Sequence, residues 1–151
     1  MATDQQGSEG LDLSQFHAVF FEEAAEHLQR MEGLLLAVDV SAPEAEQLNA
    51  IFRTAHSIKG GAATFGFQEI TELTHEMETV FDKVRKNEIP LNGDLVDVFL
   101  ASGDMLKALL ARRRGDGAEV PAQSIKELCT RLRAFLEAAG EPAALSQASA
   151  P

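Results

Sequence analysis

The chain has 151 residues, 45% of them hydrophobic, a formal net charge of -11 and a single cysteine, Cys129. That length supports one domain with a genuine core and is short for two. So acidic a surface disfavours nucleic-acid backbones and anionic lipid and favours protein partners, and one thiol excludes an internal disulfide or a cysteine-rich metal cluster.

The opening MATDQQGSEG is polar and does not read as a secretory signal, and no apolar run approaches a membrane span. A cytoplasmic setting without membrane insertion is expected. Residues 1–12 read as a flexible leader. From Leu13 a helical stripe of Phe16, Phe20, Ala24, Leu28, Met31, Leu35 and Val38 predicts a long first helix with Ser14 as its N-cap. The stretch DVSAPEAE breaks it, and Pro43 suits the first turn of a second helix carrying Leu48, Ile51, Phe52, Ala55, Ile58 and Ala62. TFGF is a turn at Gly66. A third stripe runs through Ile70, Leu73, Met77, Val80, Phe81 and Val84, and a fourth, opened by Pro90 and Asn92, through Leu95, Val98, Phe99, Ser102, Leu106 and Leu109. RRRGDG, residues 112–117, closes it with cations and glycine, the usual chemistry of a helix C-terminus. After Pro121 a fifth helix carries Ile125, Leu128, Leu132 and Phe135, and residues 139–151 read as a linker-like tail. Short connections make successive helices antiparallel neighbours. The expected fold is therefore all-α: an up-down four-helix bundle with an appended fifth C-terminal helix, in a domain spanning 13–138.

The second helix holds an anomaly. AHSIKGGAATFGF places Gly60 and Gly61 in a helix just past His56 and Lys59, although each glycine there costs roughly 1 kcal/mol relative to alanine. Ala55 and Ile58 lie on the core stripe, so His56 is turned about a quarter-circle away, with Phe52 and Arg53 behind it and Lys59 and Gly60 ahead. Gly60 removes the side chain that would stand beside the imidazole, and Gly61 widens the clearing. The pair is expected to form a docking face around His56. A reactive imidazole also needs a carboxylate on one ring nitrogen to fix its tautomer. The third helix offers Glu72, His75, Glu76 and Glu78 in ELTHEME; His75 and Glu78 share a face from which Glu78 can reach His56.

Other chemistries fit less well. Glu72-x-x-His75 is half of a di-iron ligand pattern, but the residues three before His17, His27 and His56 are Ser14, Ala24 and Arg53, so no second half exists and no metal is expected. Neither G-x-x-x-x-G-K-[ST] nor G-x-G-x-x-G is present, so no nucleotide site is expected. His17 and His27 read as surface or boundary residues, and Cys129 as semi-buried packing.

AEQLNAIFRTAHSIKGGAATFGF, followed by THEMETVFDKVRKNEIPLNGDLVDVFL, resembles the N-terminal histidine phosphotransfer (HPt) domain of CheA-type chemotaxis kinases, a likeness running from Leu13 to about Leu136. The resemblance implies that His56 receives the γ-phosphoryl of ATP on Nε2 from a separate kinase domain and passes it to an aspartate of a response regulator of the CheY or CheB type. It implies further that Lys59 assists transfer, that Glu78 bonds Nδ1 and that His75 lies in the same network. No cofactor is expected in this domain: ATP and magnesium belong to the kinase and receiver domains. A monomeric phosphoryl carrier, not a catalyst by itself, associated with chemoreceptor clusters, is the expected reading. The alternatives are an HPt module of a hybrid-kinase relay and a non-phosphorylated helical adaptor.

Overall fold

A computed structural model of the protein describes the backbone of residues 2–149 and the side chains of residues 13–138. The leader (1–12) and the linker-like tail (139–151) expected from the sequence lie outside the residues whose side chains are described. Five helices follow in order: α1 (Ala2–Ala37), α2 (Ala45–Thr64), α3 (Gln68–Arg85), α4 (Gly93–Arg114) and α5 (Ala122–Ser149). There is no strand among the described residues. α1 packs on α2 and α4, α3 packs on the same two helices, and α5 lies against α3 and α4. That closed ring of neighbours is the expected four-helix bundle with its fifth helix added outside.

The apolar stripes explain the packing. All the α3 and α4 stripe residues are buried, including Ser102, whose Oγ donates to Val98 O at 2.7 Å and so leaves no unpaired hydroxyl in the core. Phe81 and Phe99 meet at the centre, ring centroids 4.9 Å apart. On α1 the pattern shifts. Phe16 is 60% exposed and Leu13 54%, whereas Phe21, outside the expected stripe, is buried with Phe20. The reason is an aromatic cluster at this end of the bundle: Phe21 stacks on Phe67 at 5.7 Å and 11°, and Phe20 packs on Phe65 and Phe67.

Helix ends follow local chemistry, with two corrections. α1 is already helical at Ser14, which therefore caps nothing. α2 begins at Ala45 behind the extended Glu44, so Pro43 precedes the helix instead of opening its first turn. Asn92 does cap α4, its Oδ1 accepting from Leu95 N at 2.8 Å. α2, α3 and α4 each stop in a left-handed residue, Gly66 (φ 71°), Asn87 (φ 62°) and Gly115 (φ 92°). Each stop is a paired Schellman closure, as where Phe67 N donates to Ala62 O and Gly66 N to Ala63 O. The turn at Gly66 thus swings Phe67 into the aromatic cluster and sets α3 antiparallel to α2, which aligns the two helices that carry the site.

Candidate functional site

His56 and Lys59 stand one turn apart on α2, and Glu78 faces them from α3. Each is placed beside a buried stripe residue: Ala55 and Ile58 on one helix, Met77 on the other. Nδ1 of His56 lies 3.1 Å from Glu78 Oε1. Lys59 Nζ lies 2.7 Å from Oε2, an ion pair at hydrogen-bonding distance. One carboxylate therefore serves two neighbours of different kinds.

The burial gradient across these groups defines the chemistry. The Glu78 side chain is 16% exposed and that of His56 is 61%. Burial pushes the Glu78 carboxyl up and is the largest single influence, but contacts with Lys59 and then His56 outweigh it and hold the group below the ordinary carboxylate value. Glu78 is thus an anion where it meets the ring. An anionic acceptor at Nδ1 requires a proton on Nδ1, which in the neutral imidazole leaves the Nε2 lone pair available. Nε2 has no hydrogen-bond partner among the described residues, and it belongs to the exposed ring. The arrangement is a nucleophilic nitrogen facing solvent, oriented from behind by a carboxylate, with a cation one turn along.

His75 is placed differently. It is exposed and lines a groove of about 570 Å³ together with Phe52, Glu78, Thr79, Asp82 and Arg85. It makes no hydrogen bond to His56, Lys59 or Glu78 among the described residues; its backbone carbonyl accepts from Thr79 Oγ1 at 2.9 Å. Glu72 accepts from Gln68 and Glu76 pairs with Arg133 of α5, so neither of these alternatives reaches His56. No group of three or more metal-ligating side chains occurs among the described residues.

The glycine pair divides. A Cβ at Gly60 would meet nothing within 4 Å, so this position is open beside His56. Gly61 is different: its Cβ would fall 2.5 Å from Phe20 Cδ1. Gly61 admits the α1 ring against α2 and does not widen the clearing. Helical spacing already put Phe52 behind His56, but the sequence reading missed Arg85 as a neighbour of the site. Phe52 stacks on His56 at 13° with centroids 6.0 Å apart, and the Arg85 guanidinium sits 3.6 Å from the Phe52 centroid.

A family model, Hpt domain, matches residues 15–116. The chain is 46% identical over 132 residues to the chemotaxis protein CheA of Salmonella typhimurium, covering 87% of this chain and 20% of that protein. It is 36% identical over 121 residues to CheA of Treponema pallidum, covering 80% of this chain and 15% of that one. The chain thus spans a fifth or less of the length of these relatives. Among solved structures, the phosphorylated P1 domain of CheA3 in complex with CheY6 from R. sphaeroides matches with a TM-score of 0.71 and 27% identity, over 80% of this chain and 94% of that one. The solution structure of the histidine phosphotransfer domain of CheA matches with a TM-score of 0.71 and 30% identity, over 80% of this chain and 91% of that one.

Proposed function

This chain belongs to the Hpt domain family, and from that membership we propose that it is the phosphorylatable domain of a CheA-type chemotaxis kinase, with His56 as the carrier residue. In the first step Nε2 attacks the γ-phosphorus of ATP held by the kinase domain; an N–P bond forms and ADP leaves with the electrons of the broken P–O bond. In the second, an aspartate oxygen of a CheY- or CheB-type receiver attacks the same phosphorus, and the N–P electrons return to Nε2. The imidazole is regenerated, so the domain is a carrier.

The observation that carries this reading is the division of the His56 ring: Nδ1 is engaged by Glu78 at 3.1 Å while Nε2 stays open. As Nε2 gains phosphorus the ring takes on positive charge, which the Glu78 carboxylate is placed to offset. Lys59, about a quarter exposed, is placed to turn toward the anionic phosphoryl group in the manner of fixed cations in phosphoryl transfer. His75 lines the adjoining groove, beside the network of His56, Glu78 and Lys59 but not hydrogen-bonded to it. Nucleotide and magnesium belong to the kinase and receiver domains. The domain is monomeric by itself and works in the cytoplasm beside receptor clusters.

The test is intact mass after incubation with ATP, with and without a purified CheA-type kinase core, repeated after acid treatment. The expected result is one acid-labile phosphoryl group that requires the kinase core and is lost in His56→Gln. No uptake from an active, matched core overturns the reading.

A further inference from the structure

The hydrogen bond from His56 to Glu78 fixes one point on a ring that is mostly exposed. A single such contact leaves the ring free to swing about the bond, so the direction of Nε2 needs a second constraint. The structure supplies one. Phe52, one turn back on α2 and half-buried, lies nearly parallel to the imidazole, 13° between planes and 6.0 Å between centroids, the geometry of an offset stack.

Phe52 is itself held from α3. The Arg85 Cζ lies 3.6 Å from the centre of its ring, well within cation–π range. Arg85 is in turn fixed, its Nε donating to Asp82 Oδ1 at 2.8 Å, while the other oxygen of Asp82 takes Lys86 at 2.9 Å. The α3 helix therefore reaches the imidazole twice. Glu78 binds its Nδ1 edge, and one to two turns further on Asp82 and Arg85 steady the aromatic ring stacked on its plane.

We propose that Phe52 and Arg85 are positioning residues for phosphoryl transfer, fixing the plane of His56 so that Nε2 points outward while Nδ1 stays on Glu78. This rests on His56 being the phosphoryl carrier. Neither residue touches the phosphoryl group; both act through the ring.

The experiment compares Phe52→Leu, Phe52→Tyr and Arg85→Met with the wild-type chain by two readouts. The first is the ¹⁵N spectrum of the His56 ring in the unphosphorylated protein, which reports the tautomer and its exchange. The second is phosphoryl uptake from a purified CheA-type kinase core, resolved into kcat and KM for the domain. Phe52→Leu and Arg85→Met are expected to lose part of the Nδ1–H preference and to lower kcat about tenfold with KM unchanged, as a misaligned nucleophile does. Phe52→Tyr, which keeps the stacking face, is expected to match wild type in both. Wild-type ring spectra in Phe52→Leu and Arg85→Met overturn the proposal, whatever happens to uptake, because a merely structural role would lower stability without moving the tautomer. Altered spectra with unchanged kcat overturn it equally. If circular dichroism shows Phe52→Leu unfolded, Arg85→Met decides alone. If the wild-type chain takes no phosphoryl group, the carrier reading itself has failed, an outcome separate from a loaded wild type with unaffected variants.

Discussion

A methyl group at Gly61 would stand 2.5 Å from Cδ1 and 2.6 Å from Cε1 of Phe20, closer than any carbon contact allows. The Phe20 ring is only 7% exposed and packs among Phe21, Phe65 and Phe67, so it has nowhere to retreat. Gly61→Ala must then push α1 from α2 and is expected to destabilise the fold by about 1–3 kcal/mol. Gly60→Ala, with open space around it, should instead stabilise by roughly 0.5–1 kcal/mol through helix propensity. Urea unfolding of the two variants checks both signs; equal effects would mean the two positions are not distinct.

The open ground at Gly60 also predicts a separation of folding from transfer. Gly60→Leu should fold, since a Cβ there meets no neighbour, yet put a branched side chain one turn from His56. Slower phosphoryl uptake with an unchanged circular dichroism spectrum is the expected outcome, read by intact mass against time.

Glu78 and Lys59 are expected to fail in different ways. Glu78→Ala removes the orienting acceptor of Nδ1, and uptake should fall roughly ten- to hundredfold, as when the outer partner of a working histidine is lost. Lys59→Met keeps the alkyl stem and the Nδ1 contact but withdraws the cation, so the ring spectrum should stay wild-type while uptake falls about tenfold or more. Ring ¹⁵N shifts measured beside uptake rates distinguish the two.

The Glu78 carboxyl is held below its ordinary 4.5, with burial opposing and Lys59 and His56 prevailing. A lowered folded pKa means the unfolded chain takes up this proton first as the pH drops. The Glu78 contribution to stability is thus complete above pH 4.5 and lost as the pH falls through the folded pKa. Glu69, lowered chiefly by its hydrogen bond from Arg113, follows the same sign. The melting-temperature gap between wild type and Glu78→Gln should be present at pH 5 and close in stronger acid, as the pH falls through the lowered Glu78 pKa. A gap that persists undiminished in stronger acid would contradict it.

Asn92 is the side-chain cap of α4, through one bond to Leu95 N. Asn92→Ala should cost about 1 kcal/mol, measurable by denaturant unfolding, with phosphoryl uptake unaffected because α4 carries none of the site residues.

How far the sequence could be read varied along the chain. α3 and α4 were legible residue by residue because a single apolar stripe faces a crowded core on each. α1 was not: Phe20 and Phe21 are adjacent, both fit a helical stripe, and only the turn at Gly66 swinging Phe67 inward decides that Phe21 is buried and Phe16 exposed. At the site, helical phase put Glu78 among the α3 residues able to reach His56, and the family resemblance singled it out. The Gly61–Phe20 contact did not, since it depends on how closely α1 approaches α2. The Arg85–Phe52–His56 stack did not either, because an arginine in the last turn of a helix already has a sufficient explanation in the helix dipole.

The appended helix gives the protein a built-in reporter. Cys129, the sole thiol of the chain, is 6% exposed between neighbours Leu128 and Leu132, which bury α5 against the bundle. Burial first, and then the Glu76 carboxylate, raise its pKa, so the docked thiol is both covered and protonated. A thiol-reactive mass tag can therefore attach only as fast as α5 lifts away. Labelling kinetics in the unaltered chain read the opening of one helix directly, and comparing loaded with unloaded protein tells whether a charge placed on α2 is felt on the far side of α3.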